Sequence, residues 1–381
     1  MSIERMVQEF AAVAANPRGQ LRKYKEAGWK CIGVLPYYAP EELVHAAGMV
    51  PLGMWGSNRK TISKAKEYCA TFYCTIAQLD LEMLLDGTCD ELDGVITPAI
   101  CDTLRPMTQN IRVAMEGKLP TIFLAHPQFR RPAFGLEFCR AQYTHVKTEL
   151  EKIRGSEITD EELRASIKVY NKSRAARRAF VRLANEHCDV IDPIQRSAVL
   201  KAAWFMRKEE HTEMLEALNA ELEALPKAKW NGVKIVTSGI VCDNPTLLKI
   251  FKDNRVAIAA DDVAHESRPI RVDASEEGDP MEALCRQFAD QDYDVLLYDE
   301  ASEQNRRGEF VAKLVEDSGA QGLVLFMQQF CDPEEMEYPY LKKALDAHGI
   351  PFIKLGIDQQ MRDFGQAGTA IQAFVDVLAM Q

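Results

Sequence analysis

Two cysteines stand where α/β proteins usually place their chemistry. Cys101 closes the segment Gly94-Val-Ile-Thr-Pro-Ala-Ile-Cys101-Asp102, and Cys331 closes Gly322-Leu-Val-Leu-Phe-Met-Gln-Gln-Phe-Cys331-Asp332. Each Cys-Asp pair therefore follows an apolar run of strand length, and ligands of open parallel sheets bind beyond the carboxyl ends of the strands. Asp332-Pro333-Glu334-Glu335 reads as a helix start, with Asp332 as cap, Pro333 at the first position and Glu335 closing a capping box. Cys331 is then expected at a helix N-terminus, where backbone N–H groups and the dipole favour a thiolate, the form that attacks electrophiles or binds metals. Cys74 lies at the start of the helix-like run Cys74 to Leu85, with Thr71 as the expected cap. Cys69 precedes it by five residues, about 140° around an ideal helix, so one helix could not aim both at one point. The chain has ten cysteines and no CxxC cluster, which removes the ferredoxin and zinc-ribbon patterns. Scattered cysteines are more often core residues than ligands, and spacing alone leaves both readings open.

Other residues carry weaker signals. Glu41 and Glu42, after Pro40, fit either a cleft lining or the acidic first turn of a helix. His126 follows the apolar run Thr121 to Ala125 and has a favourable address, but a lone histidine is more often a core or surface residue than a base. Arg174, Arg177, Arg178 and Arg182 share one helix face and suit an interdomain salt-bridge face better than an anion grip. There is no GxGxxG, GxxxxGK[ST], HExxH or GxSxG in a strand-turn-helix setting.

The elements that must position these residues alternate. Strands are expected at Cys31 to Pro36, Gly94 to Thr97 and Thr121 to Ala125, and again at Val233 to Gly239, Val256 to Ala259, Asp294 to Tyr298, Gly322 to Phe326 and Pro351 to Leu355. A helix opens at Pro40-Glu41-Glu42 and closes at Gly48, and another runs from Gln366 to Ala379. Between the two strand-bearing parts, Glu137 to Leu225 is rich in Ala, Leu, Glu, Lys and Arg, a helical segment broken near Gly155 and Asp192-Pro193. The fold class is thus α/β, with two parallel-sheet, Rossmann-like domains, 1–136 and 229–381, connected by a helical segment, 137–228. The shared Cys-Asp placement suggests an internal duplication.

Composition sets the outer limits. With 381 residues, 47% hydrophobic and 27% charged, the chain can build more than one core and is not disordered. Its net charge of −11 gives no general reason to bind nucleic acid or an anionic membrane. Neither a signal-like start nor an apolar run of about 18 residues is present. A soluble cytoplasmic protein with reduced cysteines is expected.

Taken together, Gly33-Val-Leu-Pro-Tyr-Tyr-Ala-Pro-Glu-Glu-Leu-Val-His-Ala-Ala-Gly-Met-Val-Pro51, Phe72-Tyr-Cys74, Cys101-Asp-Thr-Leu-Arg105, Asn171-Lys-Ser-Arg-Ala-Ala-Arg177, Phe330-Cys331-Asp-Pro-Glu-Glu335 and Asp358-Gln-Gln360 resemble the 2-hydroxyacyl-CoA dehydratase family, collinearly from Lys23 to the last helix. The resemblance implies a 4Fe-4S cluster held by Cys74, Cys101 and Cys331 in the cleft between the domains, with one iron left to a non-protein ligand; Cys69 is not carried over. It implies a beta-type subunit working with an alpha subunit that has its own cluster, after transient activation by an ATP-hydrolysing iron-sulfur protein. The cluster here would then serve electron transfer. The implied reaction removes water from a 2-hydroxyacyl-CoA, 2-hydroxyglutaryl-CoA giving glutaconyl-CoA, by one-electron reduction of the thioester to a ketyl that expels hydroxide and acidifies the C3 proton. Alternatives are 2-hydroxyisocaproyl-CoA or phenyllactyl-CoA as substrate, a more distant benzoyl-CoA reductase subunit, or a cluster-free α/β scaffold. Some relatives carry flavins, so a flavin (FMN or riboflavin) in the complex stays open.

Overall fold

The computed structural model describes residues 1–35, 38–227, 229–298 and 306–380. Helices α1 (Ile3–Ala15) and α2 (Pro17–Glu26) precede a first half containing β1 (Cys31–Val34), α3 (Glu41–Ala46), β2 (Val50–Gly53), α4 (Thr75–Leu85), β3 (Gly94–Ala99), α5 (Leu104–Ala114) and β4 (Thr121–Ala125). Four helices follow: α6 (Ala133–Arg154), α7 (Asp160–Glu186), α8 (Pro193–Ala202) and α9 (Lys208–Glu223). The second half contains β5 (Val233–Gly239), α10 (Pro245–Asp253), β6 (Val256–Val263), α11 (Pro280–Ala289), α12 (Arg306–Ser318), β7 (Gly322–Gln328), α13 (Asp332–Ala347), β8 (Phe352–Ile357) and α14 (Gly365–Ala379).

The strands form two four-stranded parallel sheets, in the orders β2-β1-β3-β4 and β6-β5-β7-β8. Both sheets thus have the same plan, with the direction of winding reversing beside the first strand of each. In each, the Cys-Asp pair follows the third strand, which gives the suspected duplication a structural counterpart. The first sheet is covered on one face by α3, α6 and α7 and on the other by α4 and α5. The second lies between α10 with α14 and α12 with α13. Burial on both faces is why the central strands read as continuous apolar runs rather than alternating ones.

The helical breaks fall where expected: Gly155 ends α6 in the left-handed conformation at φ 88°, and Asp192 caps α8 in a capping box with Gln195. One expected strand is absent, and one unexpected strand is present. Asp294 to Tyr298 is a turn rather than a strand, because the Asp294 carboxylate accepts from the Leu296 backbone N–H at 2.9 Å and its carbonyl from Leu297 at 3.1 Å. Strand β2 escapes the sequence reading because it contains Pro51, which the sheet tolerates since β2 lies at an edge. The expected strand end at Pro36 lies outside the described residues.

A layer made of Trp55, Ile76, Trp204, Phe205, Ile240, Val241, Ala264 and Cys331 joins the halves. Gln359 donates to the Trp55 carbonyl at 2.6 Å and Gln360 to the Lys60 carbonyl at 2.8 Å. Closer in, the Gln328 amide donates to Thr75 Oγ1 at 3.1 Å, tying the end of β7 to the start of α4. Among the described residues, no helix is long and apolar enough to cross a membrane.

Candidate functional site

Cys74, Cys101 and Cys331 each sit at the mouth of a helix. Cys74 is the cap residue of α4, its carbonyl accepting from Gln78 N at 3.1 Å. Thr71, the expected cap, lies instead in the preceding turn. Cys101 starts the turn into α5, its carbonyl accepting from Arg105 N at 3.2 Å. Cys331 caps α13 in place of Asp332, its carbonyl accepting from Glu335 N at 3.0 Å. The expected capping box does not form: Cys331 makes no side-chain cap hydrogen bond, and the Glu335 carboxylate instead accepts from Phe330 N at 3.3 Å, which Phe330 presents from a left-handed conformation at φ 61°. A non-glycine residue in that conformation is strained, and such strain gathers at functional sites.

The three sulfurs come together from both halves of the chain. Cys74 interacts electrostatically with Cys101, and Cys331 with both. Burial pushes the Cys74 thiol up to about 12, and raises Cys101 and Cys331 as well. Backbone N–H groups oppose that shift at every one: Ile76 and Ala77 at Cys74, Leu104 and Thr103 at Cys101, and Glu334 at Cys331. Each sulfur is thus placed to be a thiolate with helix-end support, yet none becomes one without a positive charge beside it. Among the described residues, no group of three or more His, Cys, Asp or Glu closes on a point that one metal ion could occupy. The donors that interact are three sulfurs, the soft donor type that iron-sulfur groups take.

Cys69 is elsewhere, buried in the core of the first sheet near Asn110, where its thiol is raised to about 11. Cys139 and Cys285 lie in one core between α6 and α11. His126 stacks on Phe288 at 4.2 Å, and burial lowers it to about 3, so it is neutral at physiological pH.

Glu41 and Glu42 follow the helix-start reading and form the first turn of α3. The small pocket of about 70 Å3 that they line with Tyr170, Arg174 and Arg177 contains none of Cys74, Cys101 or Cys331. Glu42 pairs with Arg174 at 2.7 Å, while Glu41 pairs with Lys208 at 2.9 Å and accepts from Tyr170 Oη at 3.2 Å. Of the arginine row, Arg174 and Arg178 hold Asp273, and Arg182 holds Glu186 and Glu223. The row is therefore largely a salt-bridge face. A larger cavity of about 500 Å3 lies between α1, α8 and the end of β2, with Arg18, Arg59 and Lys60 around it; none of the three gathered cysteines lines it. Neither Lys208 nor the buried state of Arg177 was visible from spacing, since only the tertiary approach of α9 to α3 reveals them.

The profile of the 2-hydroxyglutaryl-CoA dehydratase, D-component family matches residues 36–378. The chain is 59% identical over 99% of its length and 100% of the relative's to (R)-2-hydroxyglutaryl-CoA dehydratase, subunit beta, of Acidaminococcus fermentans. It is 40% identical to the (R)-phenyllactyl-CoA dehydratase beta subunit of Clostridium sporogenes, over 98% of the chain and 99% of the relative. To the lactoyl-CoA dehydratase subunit beta of Anaerotignum propionicum it is 38% identical over 99% of both.

Proposed function

The chain belongs to the 2-hydroxyglutaryl-CoA dehydratase, D-component family, and from that membership we propose that it is the beta subunit of a dehydratase that converts (R)-2-hydroxyglutaryl-CoA to glutaconyl-CoA together with an alpha subunit. The observation that carries this reading is the end-to-end likeness to the beta subunit of the hydroxyglutaryl-CoA enzyme, well above that to the phenyllactyl-CoA and lactoyl-CoA enzymes. In this reading Cys74, Cys101 and Cys331 hold a 4Fe-4S cluster. Support comes from three soft donors from both halves, each with backbone N–H groups directed at its sulfur. Such a group, when bound, supplies one-electron transfer. The chain's own residues stabilise thiolate charge through the helix ends and shield the Cys331 side with Trp55, Trp204 and Phe205. The family resemblance implies a separate ATP-hydrolysing iron-sulfur activator for the first electron, and the lack of a GxxxxGK[ST] loop in the sequence fits that division.

Iron and acid-labile sulfide, measured on anaerobically purified chain, test the cluster: fewer iron atoms than chains would overturn it. Replacing Cys74, Cys101 or Cys331 singly by Ala is expected to abolish the broad visible absorption, and Cys69→Ala to preserve it. Flavin fluorescence of an acid extract of the same preparation reads the flavin content. For substrate, the reconstituted subunit pair with activator is expected to turn over 2-hydroxyglutaryl-CoA in preference to 2-hydroxyisocaproyl-CoA or phenyllactyl-CoA.

A further inference from the structure

Arg177 in α7 is 6% exposed, and its guanidinium makes one hydrogen bond, from Nε to the Ser173 carbonyl at 3.4 Å. Among the described residues, no carboxylate lies within ion-pairing distance of it. Its neighbours explain why. Glu42 is taken by Arg174, which also holds Asp273, and Glu41 is taken by Lys208 and by the Tyr170 hydroxyl. Arg174, Arg177 and Lys208 thus face the buried Glu42, the part-buried Glu41 and the exposed Asp273, and of the three cations Arg177 is the one that makes no ion pair. Burial lowers Arg177 to about 10, with the charge of Glu41 opposing the shift and that of Arg174 adding to it, so it stays charged at neutral pH. A buried cation without a partner is costly and is normally paired or ligand-bound.

The free side of this guanidinium borders the pocket of about 70 Å3 whose walls include Tyr143, Trp204 and Phe288. On this measure a water needs about 10–15 Å3, so the pocket has room for a group the size of acetate or propionate and excludes a nucleotide. A single unpaired guanidinium suits a monoanion, whereas a phosphate dianion would meet Glu41 and Glu42 on the pocket wall. A planar guanidinium with unused N–H donors pairs best with a planar two-oxygen acceptor.

We propose that this pocket binds one small carboxylate group, held by the open side of the Arg177 guanidinium between α3, α7 and α11. The carboxylate is either a free short-chain acid or the distal end of an acyl thioester. The proposal stands on the surroundings of Arg177 and not on the dehydratase reading.

Calorimetric titration of the full chain with sodium acetate, at fixed ionic strength, tests it. Saturable one-site binding is expected, weakened at least tenfold in Arg177→Met and by less in Arg177→Lys, with inorganic phosphate not binding there. No saturable heat, equal binding by Arg177→Met, or chloride binding as tightly as acetate would each overturn it. Since no ion pair is broken, Arg177→Met is also expected to unfold in acetate-free buffer no more easily than the parent; marked destabilisation would show that the guanidinium is a structural partner and would overturn the assignment. Competition identifies the source. Displacement of acetate by glutaryl-CoA, which ends in a carboxylate, but not by butyryl-CoA, assigns the acyl thioester; displacement by neither assigns a free acid. Displacement by both would overturn the carboxylate reading.

Discussion

Glu42 and Arg174 face each other at 2.7 Å with both side chains almost wholly out of water. Breaking a buried pair by removing one partner costs more than the pair contributes, because the remaining charge stays desolvated. Arg174→Met should therefore destabilise the chain by about 3–5 kcal/mol, read as a lower denaturant midpoint, while the exposed pair Arg5 with Glu9 could be removed with little effect. A second residue-scale effect depends on pH. His211 donates from Nε2 to the Val199 carbonyl at 3.0 Å, leaves Nδ1 without a partner, and is lowered by burial to about 3. Above pH ~6.5 it is neutral in both folded and unfolded chains. Below that the unfolded chain takes up the proton first, so stability falls by about 1.4 kcal/mol per pH unit down to the folded value. His211→Gln, which can keep the donor, should flatten this slope in denaturant melts between pH 4 and 6. Sequence alone placed Arg174, Arg177 and Arg178 on one face but could not tell the paired arginines from the unpaired one. That distinction depends on which carboxylates α3 and α9 bring to meet them.

At the scale of elements, most of the fold was legible because its signals are local. Asp192-Pro193, with Gln195 three residues on, announces the start of α8, and the Asp192 carboxylate does accept from Gln195 N at 2.9 Å. Asp192→Ala should cost about 1 kcal/mol, detectable as a small shift in the denaturant midpoint. Local signals also misled. The apolar letters of Val295 to Tyr298 resemble a strand, but the side chain of Asp294 folds the backbone into a turn before any ladder forms. The shift of the α13 cap from Asp332 to Cys331 has a similar origin, since the left-handed turn at Phe330 starts the helix one residue early. Sequence supplied the approximate address of each cysteine. It could not supply the common feature that Cys74 and Cys331 share as cap residues, which depends on where the first helical hydrogen bond closes.

At the scale of the molecule, the same strand order in both sheets makes each half a version of the other, and the reversal of winding beside β1 and β5 opens a crevice at the carboxyl ends of each. The alternation of strands and helices foretold two such sheets. Their relative placement was not foretold, because it rests on the interlocking of Trp55, Trp204 and Val241 and on glutamine contacts spanning about the whole chain. Those contacts make the three sulfurs a gauge of the gap. Two sides of the triangle change length whenever one sheet moves against the other, since Cys74 and Cys101 travel with the first and Cys331 with the second. Anything that bridges all three is therefore also a mechanical tether. Amide hydrogen exchange at residues 55–60 and 358–362 is expected to be slower in iron-loaded than in iron-free chain, and equal rates in the two would show that the halves are held shut by their own side chains.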